Sequence, residues 1–221
     1  MALYIGGVAV DATAAEIDVL DGLDRGSIIY GNASSATTVL GQGNADEVLT
    51  SDGTDIAWAA AGGGGITHAS QWRITSNHTG AGFLTANWEE TDVNGAGALG
   101  SAMTESSGVF TFPSTGFWLI DFAVFCADQS TNRYIGANIF TTNNASGAAD
   151  FNEVSKAYNN IYYDTGDPYY CTASSKFLFD VDVLADDKIK FFAHAADAAA
   201  EHGGNTSSNI TYVTFLRLGD T

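Results

Sequence analysis

Residues 176–184 read Lys176-Phe-Leu-Phe-Asp-Val-Asp-Val-Leu184, and their alternation decides the class of fold. Phe177, Phe179, Val181 and Val183 share one side of an extended chain, against Leu178, Asp180 and Asp182 on the other. Successive side chains of a strand point to opposite faces, so this period of two predicts a half-buried β-strand. Asp186-Asp187 supplies a turn, and Lys188-Ile-Lys-Phe-Phe-Ala193 returns as the partner strand.

The same character extends outward from this hairpin. Residues 70–75, 82–88, 108–112, 117–126, 134–142, 154–163 and 210–218 are rich in aromatic and β-branched residues and are predicted as strands. Both prolines, Pro113 and Pro168, fall between these runs, where they interrupt no ladder. No helical period is sustained. About eight to ten strands over residues 66–221 predict an all-β sandwich, with a jelly roll as the expected form.

A different texture precedes this region. Gly62-Gly63-Gly64-Gly65 is read as a linker, because four glycines hold neither helix nor strand cheaply. Residues 1–61 carry too little large apolar material to fold alone. One short helix is predicted there: Asp11 can cap it, Thr13-x-x-Glu16 has capping-box spacing, and Ile17 and Leu20 share a face until Gly22. Two hairpins follow, residues 27–30 with 37–40 and residues 47–50 with 55–58, turned at Gly31-Asn32 and Ser51-Asp52-Gly53. Their apolar positions lack partners within the segment, and further copies wound on a shared axis would supply them.

Composition narrows the functional classes. Of 221 residues, 45% are hydrophobic, which suffices for a core, and only 15% are charged. With 26 acids against 8 bases the net charge is −18, which repels phosphate backbones and anionic lipid, so no nucleic-acid partner is expected. No apolar run is long enough for a membrane span. The opening Met1-Ala-Leu-Tyr-Ile-Gly-Gly-Val8 lacks a basic stretch and an apolar core, so no export signal is expected. Cys126 and Cys171 lie in apolar or aromatic segments and are read as buried thiols, with a bridge between them left open.

No catalytic arrangement emerges, and no cofactor is expected. His68, His78, His194 and His202 lack metal-ligand spacing, and His194 and His202 are expected to flank an exposed polar loop containing Asp197 and Glu201. Acid pairs such as Glu89-Glu90 and Asp180 to Asp182 read as solvated turns, because a glycosidase needs two carboxylates flanking one cleft. A calcium ion at Asp186 and Asp187 is the one metal candidate. The most suggestive surface feature is residues 158–170, which hold five of the nine tyrosines: Tyr158, Tyr162, Tyr163, Tyr169 and Tyr170. Rings among Asn and Asp suit the grip of a sugar, and the same residues could equally pack inward. Phe110, Phe112, Trp118, Phe122 and Phe125 form a large aromatic payload, either divided between the sandwich and a threefold axis shared by copies or all of it sandwich core.

Three elements in the first region resemble bacteriophage tail-fibre shafts: Val10-Asp-Ala-Thr-Ala-Ala-Glu-Ile-Asp-Val-Leu-Asp-Gly22, Gly26-Ser-Ile-Ile-Tyr-Gly-Asn-Ala33 and residues 47–58. Phe110-Thr-Phe-Pro-Ser-Thr-Gly-Phe-Trp-Leu-Ile-Asp-Phe122 resembles the complement C1q-like, tumour-necrosis-factor-like jelly roll, with residues 181–192 as its late hairpin and 209–218 as its closing strand. Trp118 and Ile120 stand where that family usually has Tyr and Phe. These resemblances imply a homotrimer with a slender N-terminal segment joined to other virion proteins and a C-terminal head that meets a host-surface glycan or protein. Synthesis in the host cytoplasm and residence on the virion are implied with it. A capsid decoration protein and an adaptor for a separate receptor-binding protein are the alternatives; a glycan depolymerase is a more distant one.

Overall fold

The computed structural model describes residues 4–10, 12–61, 65–128, 133–145, 150–161 and 169–221. The chain divides into two compact units, Met1–Gly64 and Gly65–Thr221.

The first unit is a string of local structures. Strands β1 (Tyr4–Ile5) and β2 (Val8–Ala9) pair across two left-handed glycines. Helix α1 (Ala14–Asp21) starts at Thr13, whose hydroxyl accepts from the Glu16 N–H while the Glu16 carboxylate accepts from the Thr13 N–H at 2.7 Å. The cap is therefore Thr13, and Asp11 lies outside the described residues. Two hairpins complete the unit, β3 (Ile28–Gly31) with β4 (Thr37–Leu40) and β5 (Glu47–Ser51) with β6 (Ile56–Ala60). Side chains hold both turns: Asn32 Oδ1 accepts from the Ser34 and Ala36 N–H groups, and Asp52 Oδ1 from those of Thr54 and Asp55. The indole of Trp58 lies against Gly43 and donates to the Gly41 carbonyl at 2.6 Å. Even so, no described residue of this unit is buried.

The second unit is a sandwich of antiparallel strands. In chain order these are β7 (Ala69–Ile74), β8 (His78–Thr79), β9 (Gly82–Phe83), β10 (Trp88–Glu90), β11 (Thr104–Ser106), β12 (Val109–Thr111), β13 (Gly116–Asp128), β14 (Tyr134–Asn143), β15 (Asn152–Asn160), β16 (Tyr169–Val181), β17 (Asp187–Ala195), β18 (Glu201–His202) and β19 (Tyr212–Gly219). One sheet runs β10-β7-β19-β13-β18-β8, with β16 on the other edge of β13. The second runs β11-β12-β17-β14-β15, with β9 also on β17. Strand β13 is the spine: along its 13 residues it pairs with β16 on one side and with β19 and then β18 on the other.

The inner faces meet in one core. Trp118, Ile120, Phe122 and Val124 point inward from β13, and Ile189, Phe191 and Ala193 from β17. Phe110 sits at the centre, its ring 5.4 Å from Trp72, 5.1 Å from Trp88, 5.5 Å from Phe191 and 5.3 Å from Phe215. Phe112 packs on Trp118 and Phe179. Phe125 faces outward instead, stacked on Tyr170 at 5.8 Å.

Several strand expectations need correction. Residues 82–88 do not form one strand; Leu84 is plugged into the core, Asn87 turns through a left-handed φ of 63°, and β9 and β10 join different sheets. Val183 does not share the inner face of Phe179 and Val181, because β16 ends at Val181 and Val183 is 50% exposed in the turn. Strand β16 starts seven residues before Lys176, through the Thr/Ser run 172–175 that carries little apolar signal. His202 is not in an exposed loop; it is buried on β18, its ring stacked 6.0 Å from His78. His194 is half-buried on β17.

Among the described residues, the one fully buried arginine is tied to specific partners. Arg73 is wholly buried and bonds Glu89 at 2.8 Å, Asp92 at 2.6 Å and the Thr206 carbonyl at 2.6 Å. Burial works against its charge, yet the bonds and charges of Asp92 and Glu89 outweigh that and hold it above the ordinary value. Burial lowers the pKa of His78, so the fold favours its neutral form.

Two outcomes are expected. Phe110→Ala should lower the unfolding free energy of the sandwich by about 3–5 kcal/mol, read from denaturant midpoints at constant slope. For His78, a depressed folded pKa gives a stabilising contribution that is complete above about pH 6.5 and lost on acidification below it. The melting temperature should therefore fall less steeply from pH 7 to pH 5 in His78→Gln than in the native chain.

Candidate functional site

The tyrosine window does not form one surface. Tyr158 and Tyr170 lie on β15 and β16, in different sheets, and point away from the core on opposite sides of the sandwich. Tyr162 and Tyr163 lie outside the described residues; Tyr169 opens β16 opposite Asp128, and its ring is not among the described side chains. Strands β15 and β16 are stitched at the sandwich edge by Ser155 Oγ donating to the Lys176 carbonyl and Asn159 Nδ2 donating to the Thr172 carbonyl, each at 2.9 Å.

On the outer face of the six-stranded sheet, register brings Tyr158, Gly136 and His194 into one row across β15, β14 and β17. The Tyr158 ring meets Tyr134 edge-on at 5.5 Å and His194 edge-on at 5.3 Å. Glycine at 136 permits this: a Cβ there would come within 2.5 Å of the Tyr158 ring and 3.0 Å of His194 Cβ. Tyr134, Tyr158 and Asn160 border a shallow recess of about 390 Å³, and Tyr158 remains 48% exposed. Phe192 continues the aromatic surface to Phe83, over which Lys190 Nζ sits 3.9 Å from the ring centre. Burial lowers the Lys190 pKa. Below the row, Glu153 accepts from Asn138 at 2.7 Å and pairs with Lys156 at 2.8 Å; those bonds, the Lys156 bond foremost, draw its carboxyl below the ordinary value.

This surface can stack the apolar face of a flat ligand, with an amide and an imidazole at its margin for hydroxyl groups. Sequence reading found Tyr158 but missed Tyr134 and His194. Only the β14–β15 and β14–β17 registers join them to it, and no local spacing announces that.

On the outer face of the seven-stranded sheet, Leu178, Leu119 and Leu216 form an apolar row across β16, β13 and β19. Leu178 is 52% exposed and the other two are half-buried. Phe125 and Tyr170 extend the apolar character along the sheet, and between them lies the Lys176–Asp121 ion pair. In the first unit Ile17 and Leu20 are likewise exposed, at 37% and 63%.

The remaining candidates have local duties. Asp187 is buried, and its Oδ2 accepts from the Asp182 and Val183 N–H groups at 2.7 Å each, tying down the turn that contains Asp186. Among the described residues no three His, Cys, Asp or Glu side chains gather as metal ligands.

No protein-family model and no curated protein matches the chain. Among solved structures it is similar to murine APRIL crystallised at pH 5.0, with a TM-score of 0.50 and 12% identity over 68% of this chain and 98% of that one. It is also similar to the Eiger TNF of S. frugiperda, with a TM-score of 0.49 and 12% identity over 71% of this chain and 95% of that one. At such identity the likeness concerns the fold alone: the second unit is a jelly roll of the tumour-necrosis-factor-like kind.

Gly136→Val should push the Tyr158 ring off the sheet. Near-UV circular dichroism should change in the tyrosine region, with a stability loss of about 1–3 kcal/mol from overpacking. An unchanged spectrum would mean that Tyr158 does not depend on Gly136.

Proposed function

We propose that the chain is the subunit of a homotrimeric fibre or spike on a bacterial virus, which attaches the particle to the host cell surface. The observation that carries this reading is the first unit's lack of any buried described residue, while Ile17, Leu20, Leu23, Ile29, Val39, Val48 and Leu49 stay exposed. Apolar surface left in water forfeits about 25 cal/mol for each Å² that could be covered. Copies arranged about a common axis cover such side chains mutually, which a thin chain cannot do for itself. The Leu178–Leu119–Leu216 row gives the head a surface of the same kind for its own copies. The three shaft-like sequence elements support a viral fibre in particular.

In this reading the first unit joins the chain to other virion proteins, and the outer aromatic surface around Tyr158 meets a host glycan or protein. Three copies present three such surfaces, so weak individual contacts sum to firm attachment. Two acids beside these surfaces are engaged in structural pairs, Asp121 with Lys176, and Glu153 with Lys156 and Asn138, which favours binding over catalysis there.

The test is the native mass of the full chain, followed by incubation of the fluorescently labelled protein with candidate host cells. The expected result is three times the chain mass and decorated cells. Tyr158→Ala should keep the trimer and lose at least about tenfold in cell binding, as removal of an aromatic anchor does. A monomer would overturn the assembly, and a trimer that ignores every cell type would overturn attachment.

A further inference from the structure

We propose that Cys126 and Cys171 form a disulfide across the β13–β16 ladder when the folded protein meets an oxidising medium. The two residues are direct partners in the antiparallel register, between the pairs Phe125↔Thr172 and Ala127↔Tyr170. Both point to the core side of their sheet; Cys126 is fully buried and Cys171 is 8% exposed. No disulfide joins them in this structure. The sequence holds two cysteines, so one intrachain pairing exists.

Backbone geometry gives the spacing. The Phe125 N–H donates to Thr211 Oγ1 at 3.1 Å, and its carbonyl accepts from the Gly203 N–H at 3.0 Å, both on the β18–β19 side. The N–H and C=O of the next residue, Cys126, therefore face β16. This makes Cys126–Cys171 the wider, hydrogen-bonded kind of antiparallel pair, with Cα atoms about 5.5 Å apart. Disulfides span Cα separations of about 4.4–6.8 Å, which this pair meets, and need Cβ atoms about 3.5–4.5 Å apart. Directly opposite partners hold their Cβ atoms about 4.5–5.5 Å apart, so the two strands must draw together locally at this rung for the bridge to close.

Access and timing follow from position. The pair stands two residues from the end of the ladder at Asp128↔Tyr169, where strand ends open most readily. In the closed state the Cys171 thiol donates to the Asn160 carbonyl at 3.5 Å, and burial pushes its pKa up. Oxidation is therefore slow at neutral pH and quickens as pH rises and thiolate forms. With oxidised glutathione, one cysteine thiolate attacks a glutathione sulfur, forms a mixed disulfide and expels one glutathione thiolate. The second cysteine thiolate then attacks the protein sulfur of that mixed disulfide and expels the other. Two protein thiols lose two electrons and two protons, and one glutathione disulfide becomes two thiols.

The bridge would close a loop containing β14 and β15, the strands that carry Tyr134 and Tyr158. It would tie both ends of that segment to the spine strand. This inference rests on the register and stands whether or not the attachment reading holds.

The experiment uses the full chain, purified in reductant, exchanged into buffer with oxidised glutathione at pH 8, and followed by intact mass and non-reducing peptide mapping. The expected product is a chain not covalently joined to any other and lighter by about 2 Da, with its own Cys126 and Cys171 peptides linked. Its melting temperature should rise by about 5–10 °C, and reductant should reverse the shift. Cys126→Ser and Cys171→Ser should each gain one glutathione at most and show no such rise. The Cys126→Ala/Cys171→Ala double variant, with an unreactive core of similar size, should melt at one temperature with and without oxidant. The inference is overturned if the folded native chain stops at mixed disulfides, links only between chains, or stays reduced while the unfolded chain oxidises.

Discussion

The alternation of side chains along β13 is the constraint on which the rest of the molecule depends. Its even-numbered residues from Trp118 to Cys126 enter the core, while Phe117, Leu119, Asp121 and Phe125 face out. A slip of one residue would expose Trp118, Ile120 and Phe122 and drive Asp121 inward, so the register is strongly specified. Pairing along both edges then passes this setting to β16, β19 and β18. The apolar row at Leu178, Leu119 and Leu216 and the facing cysteines are both consequences of that one register.

The two units solve opposite problems. The head closes two sheets over a ring cluster centred on Phe110 and hides the large apolar side chains of their inner faces. The first unit relies on a capping box and Asn and Asp side chains that hold its turns, which fix local shape without enclosing anything. Local bonds of that kind add little against the entropy of ordering a chain. A segment built this way needs cover from outside itself, which is the physical basis for reading it as part of an assembly.

Polar groups inside the head mark where the sandwich is closed. Arg73 is held by Glu89, Asp92 and the Thr206 carbonyl, drawing two separate stretches of chain over one charge. Asp187 serves the β16–β17 turn in the same way, its carboxylate taking two backbone N–H groups. A buried charge without such partners is costly, so these residues are tied to their partners more tightly than surface ion pairs are.

Much of this was legible in the chain itself. Period-two runs gave the strands, and Thr13 with Glu16, Asn32 and Asp52 marked the helix start and the hairpin turns, because those signals depend on neighbours a few residues away. The tertiary structure alone decided what depends on register between distant strands. It split the tyrosine window, placing Tyr158 with Tyr134 and His194 on one sheet and Tyr170 with Phe125 on the other. It drew His202 into the core beside His78, and it set Cys126 opposite Cys171 across 45 positions of sequence. Alternation tells which residues share a face of their own strand, but only the pairing of strands tells which faces meet.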